Sequence, residues 1–116
     1  MQIIDTHTHL YLEAFDVDQN EVIKRAIDAG VSHFFIPAID SNYTGRMYAL
    51  EKSYPNLVSL MAGLHPCYVK DNVEEELEKV FEQLNTRSFC AIGEIGIDLH
   101  WDKTYLKEQQ KAFSRQ

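Results

Sequence analysis

The sequence predicts an α/β protein whose parallel sheet is assembled from four successive strand–helix units. Short β-rich apolar runs alternate along it with longer runs at helical spacing, and turn-forming residues separate the two kinds. The short runs are apolar on both faces, the pattern of parallel strands covered by helices. Hydrophobic residues make up 45% of the 116 and charged ones 25%, enough for a real core in one domain. No linker, repeat or low-complexity stretch divides the chain, so residues 1–116 are read as a single domain.

Ile3-Ile4 opens the first strand, which is expected to continue to His9. Val22, Ile23, Ala26 and Ile27 then recur at helical spacing, with Asp18 as cap and Gly30 as stop. Phe34-Phe35-Ile36 forms the second strand, halted at Pro37, and a second helix is expected from about Asn42 to Ser53. Leu57 to Ala62 reads as the third strand, running into Gly63-Leu64-His65-Pro66. The third helix carries the cleanest period: Val73, Leu77, Val80, Phe81 and Leu84 make an apolar stripe, with Glu74-Glu75-Glu76 through Glu82 as a solvated acidic face. Cys90-Ala91-Ile92 starts the fourth strand, and a fourth helix follows from Tyr105.

A complete (β/α)8 barrel takes about 250 residues. Four units, with no Gly, Asn or Pro stop signal between Leu106 and Gln116, read as the first half of such a barrel, truncated in its fourth helix. Two strand edges would then stay open, and one of two outcomes is expected: self-association that partly rebuilds a barrel, or a fragment that occurs only within a larger assembly. No apolar run approaches the ~18 residues of a membrane span. The first residues lack the basic segment of a secretory signal, and two unpaired thiols, Cys67 and Cys90, suit a reducing cytoplasm. The net charge of -7, with eleven scattered basic residues, argues against a large duplex-binding surface.

His7 and His9 are the strongest chemical signal. Strand side chains at i and i+2 share a face, so two imidazoles so placed can converge on one divalent ion while Thr8 faces away. Asp5 lies on the same face, where it could hold a ring N–H or take part more directly. Glu94 ends the apolar run Cys90-Ala91-Ile92-Gly93, where a charged group needs a partner or a metal. Gly93 and Gly96 beside it permit a close backbone approach or a sharp turn. His65, just after the third strand, could donate to a substrate oxygen or act as an acid, or could simply cap or pack. Asp98 could orient water or a ligand, or serve as a turn acid. His100 and Trp101 are weak candidates for a pocket mouth, and His33 reads as structural. Neither cysteine has a Cys-x-x-Cys partner for zinc-thiolate chemistry.

Ile4-Asp5-Thr6-His7-Thr8-His9-Leu10, Gly63-Leu64-His65-Pro66 and Ala91-Ile92-Gly93-Glu94-Ile95-Gly96-Ile97-Asp98, in this order and spacing, resemble the TatD family of metal-dependent deoxyribonucleases. Trp101-Asp102-Lys103 and the stretch from Gln109-Gln110 to Phe113 also look like that family. The resemblance implies the first four βα units of a TIM barrel, a two-metal centre and deoxyribonuclease activity on DNA ends. It implies that His7 and His9 bind one ion, that Glu94 bridges two, that His65 assists at the substrate phosphate and that Asp98 lies near the site. Carboxylate and imidazole donors without thiolate suit zinc, manganese or magnesium. The family's later His, Arg and Asp positions have no counterpart in these 116 residues. Two other functions compete: hydrolysis of a small ester, amide or lactone with the same ligands, favoured by the acidic charge, and a non-catalytic fragment.

Overall fold

Alternation decides which side of the sheet is covered. In β2 (Val31–Ile36) and β3 (Val58–Ala62), Phe34, Ile36, Val58, Leu60 and Ala62 are buried, whereas His33, Phe35, Ser59 and Met61 are only half-buried. Successive strand residues point to opposite faces, so helices cover one face and leave the other partly open. This corrects the expectation of strands covered on both sides. The computed structural model describes all 116 residues. Its sheet has the order β1-β2-β3-β4, all neighbours parallel, with β1 at Ile3–Asp5 and β4 at Ala91–Ile92. It curls into half of a barrel wall.

The helices α1 (Gln19–Asp28), α2 (Thr44–Ser53), α3 (Val73–Thr86) and α4 (Leu106–Arg115) follow the four strands in turn. Ile23 of α1 and Met47 and Leu50 of α2 pack with Phe34, Ile36, Val58 and Leu60 in one core cluster. Val73, Leu77 and Val80 of α3 join Ala62, Leu64 and Ala112 in a second. The chain leaves α1 through Gly30 at φ +104°, where a side chain would be strained. Asp18 precedes α1, but its side chain makes no capping hydrogen bond. No helix is long and apolar enough to cross a membrane.

Two further expectations need correction. β1 stops at Asp5 rather than His9: the chain bends at His7, whose backbone N–H the Asp5 carboxylate accepts at 3.2 Å, and it meets β2 again only through the Thr8 N–H, which donates to the Phe35 carbonyl at 3.3 Å. Glu76 is not part of a solvated face. It is 6% exposed, three residues from Val73 on the inward side of α3. There its carboxylate accepts the Ser41 N–H at 2.9 Å and the Ser41 hydroxyl at 2.7 Å, with Lys79 Nζ at 3.2 Å.

Candidate metal centre

A flat parallel sheet would hold β1 and β4 about 14 Å apart, three strand spacings. The chain brings their exits together instead. Beyond β2, Ala38 donates to the Gly93 carbonyl at 2.9 Å and accepts from the Glu94 N–H at 3.2 Å. These bonds pass over Gly63 at the end of β3, where a Cβ would stand 2.8 Å from the Gly93 carbonyl carbon. Any side chain at Gly63 would block this crossing. The expected close approach at Gly93 is thus made, with Gly63 as its partner.

The crossing delivers Glu94 to the two histidines after β1. Glu94 Oε2 lies 3.1 Å from His7 Nε2 and 3.5 Å from His9 Nε2, and the two ring nitrogens are 3.3 Å apart. The shared parity of His7 and His9 survives the early end of β1, and their rings meet edge to face at 5.1 Å between centroids. These spacings test the fit of an ion. With bonds of 2.0–2.1 Å and tetrahedral angles, ligand atoms around zinc stand about 3.3–3.4 Å apart. The three atoms already have that separation, so His7, His9 and Glu94 fit a divalent ion. Burial lowers the His9 pKa below its usual value, and His7 lowers it further against the opposing pull of Glu94. The shift favours neutral His9, the form that binds metal.

His65 meets the other oxygen, with Nε2 at 3.1 Å from Glu94 Oε1. Its Nδ1 accepts the Cys67 backbone N–H at 3.0 Å, so the ring hydrogen of neutral His65 sits on Nε2. His65 is therefore built as a donor, and it also caps the 3-10 turn that follows. Of the readings of this residue, the capping one is seen directly, while its donor nitrogen faces Glu94.

Asp98 is not among the side chains whose ligand atoms converge, His7, His9 and Glu94. Its carboxylate accepts the His100 N–H at 2.8 Å, and this bond, with the Cys67 thiol and nearby histidines assisting, holds its pKa below the usual range. That is the geometry of a turn acid. Asp98, Trp101, Tyr105, Cys67 and Lys70 line one small pocket, while His33 bonds Ser59 on the open sheet face at 2.8 Å. Asp5 holds a backbone N–H, not a ring.

Three residues escaped the sequence reading. Gln109 of α4 pairs its amide with Asp98, accepting the backbone N–H at 2.7 Å and donating to the carbonyl at 2.9 Å. Two turns on, at the C-cap of α4, Gln116 does the same to Leu64, at 2.6 and 3.4 Å. The two amides clamp the loops that carry Glu94 and His65. Tyr11 is the third. Burial pushes its hydroxyl pKa well above the usual value, with Tyr43 and Glu94 adding to the effect, so it stays protonated.

The family described as "TatD related DNase" matches residues 4–116. This chain belongs to that family. It is 32% identical to the uncharacterized metal-dependent hydrolase YjjV of Escherichia coli K12, covering 99% of this chain and 45% of that protein. It is 33% identical to the uncharacterized metal-dependent hydrolase YabD of Bacillus subtilis 168, covering 98% and 44%. A 3'-5' ssDNA/RNA exonuclease TatD of Pectobacterium parmentieri WPP163 is 30% identical over the same shares. The crystal structure of YjjV superposes with a TM-score of 0.87 at 31% identity, covering 97% of this chain and 44% of that one. The half-barrel of this TatD-family chain is therefore the architecture of the first half of a TIM barrel. The chain spans just under half the length of the relatives it matches.

Proposed function

We propose that this TatD-family chain carries the metal-holding part of a deoxyribonuclease that hydrolyses DNA phosphodiester bonds with a two-metal centre. One observation carries the reading: Glu94 turns one oxygen toward His7 and His9 and the other toward His65, as a carboxylate shared between two positions would. His7 and His9 would hold one ion through Nε2, and Glu94 would reach both. Bound zinc, manganese or magnesium would supply positive charge to the attacked phosphoryl group. His65, whose Nε2 carries a hydrogen, donates to a phosphate oxygen when substrate replaces its contact with Glu94. Asp98, held by Gln109 and bonded to His100, keeps the loop beside His65 in place. Free thiols at Cys67 and Cys90 suit a cytoplasmic setting.

Hydrolysis of a small ester, amide or lactone is the second reading, favoured by the net charge of -7. The test compares end-labelled single-stranded DNA with small phosphoesters and lactones, using the protein that contains these residues at full length. Metal-dependent shortening of DNA that stops with chelator is the expected result. Turnover of lactone or ester alone would establish the second reading, and DNA cleavage undiminished in excess chelator would refute both.

A further inference from the structure

Tyr11 is the largest fully buried side chain in the molecule, 1% exposed. Its Oη stands 2.8 Å from the Pro37 carbonyl oxygen, a group that only accepts, so the phenol hydrogen is directed there. The same Oη lies 2.9 Å from His9 Nδ1. With its hydrogen committed to Pro37, Oη meets His9 as an acceptor, and Nδ1 carries the ring hydrogen. Nε2 of neutral His9 then holds the lone pair. That is the atom 3.3 Å from His7 Nε2 and 3.5 Å from Glu94 Oε2.

We propose that Tyr11 is a positioning residue for the metal centre, its hydroxyl anchored on the Pro37 carbonyl and fixing His9 in the tautomer whose Nε2 binds the ion. The proposal rests on the metal-site reading above. A histidine ligand usually donates its second ring N–H to a fixed acceptor, which sets ring tautomer and orientation. Here the acceptor is a phenol, made reliable because Pro37 takes the phenol's own hydrogen. The neighbouring Ala38 bonds Gly93 and Glu94, so one loop orients both His9 and the carboxylate opposite it. His65 shows the converse wiring: a backbone N–H on Nδ1 leaves the hydrogen on Nε2.

Tyr11→Phe keeps the ring and its packing and removes only Oη. In long-range proton–nitrogen spectra of the metal-free chain with labelled histidine, His9 should be a single Nδ1–H tautomer. In Y11F it should become a mixture, and calorimetric zinc affinity should fall roughly 10–100-fold. His9→Ala gives the reference for loss of the ligand itself. His9 protonated at Nε2 in the unaltered chain overturns the proposal, and that spectrum decides even if Y11F folds poorly. So does a Y11F protein that melts lower yet keeps the tautomer and zinc affinity of the unaltered chain. If the unaltered chain and His9→Ala both fail to bind zinc, the metal reading falls. The metal-free spectrum then still shows whether Tyr11 sets the His9 hydrogen.

Discussion

His7 is the most exposed member of the cluster, its side chain 54% accessible, so its loss separates metal binding from stability. His7→Ala removes a ligand atom but no core contact. Zinc affinity should fall by more than the roughly 10–100-fold that an outer partner's loss costs. Stability of the metal-free chain should move by no more than about 0.5 kcal/mol. Calorimetric titration and urea unfolding of the same sample measure both, and unchanged affinity would remove His7 from the ligand set. His7, His9, Glu94 and His65 were legible in the sequence because each carries its own signal: parity of two, or a polar group at the end of an apolar run. Tyr11 was not, since its task depends on Pro37, 26 residues away. Yet Asp5, His7, His9 and Tyr11 form one i, i+2 series, and following that parity two residues further would have pointed to it. Asp5 meets a backbone N–H rather than a ring, because a bend at His7 turns that N–H onto its carboxylate.

At the scale of elements, α3 shows how a correct helix can be read with one wrong face. Its apolar stripe was legible, but Glu76 sits in phase with Val73 and Val80 and goes inward with them. There it ties the first turn of α3 to Ser41, just past β2. Burial pushes the Glu76 pKa up, but the Ser41 hydroxyl and N–H and the Lys79 ammonium outweigh it, and the folded value lies below the ordinary 4.5. The unfolded chain therefore takes up this proton first as pH falls. Stability from Glu76 is fully present above about pH 4.5 and is lost as pH drops through the folded value. Glu76→Gln should cost roughly 1–3 kcal/mol at neutral pH, because the amide meets the Ser41 N–H and Lys79 without a charge. The difference from the unaltered chain should shrink on acidification below pH 4.5, in urea melts run at several pH values. A pH-independent difference would mean that Glu76 acts by packing alone. The α4 glutamines were invisible for a related reason: their partners, Asp98 and Leu64, are backbone groups, which no side-chain pattern records.

The whole molecule is looser than its length predicts. A compact domain of 116 residues has a radius of gyration of about 13 Å, against 15.0 Å here. Its accessible surface of 7002 Å² also exceeds the roughly 6,500 Å² of a closed monomer of this size. The excess has a place: the uncovered sheet face and its two edge strands, β1 and β4. Ile4 on β1 is 51% exposed, and Ile92 on β4 is exposed as well. An edge strand offers unpaired N–H and C=O groups, and exposed apolar side chains beside them reward pairing with a second chain. The 116-residue chain is therefore expected to self-associate through β1 and β4, in a concentration-dependent equilibrium seen by sedimentation velocity. Ile4→Lys places a charge on the β1 edge, a device that natural sheets use against pairing, and should shift the chain toward monomer. The ligand cluster stands on the segments after the strands, so the variant should bind zinc as the unaltered chain does. A chain that sediments as monomer at every concentration, with Ile4→Lys indistinguishable from it, would show that these edges are closed by the chain's own loops.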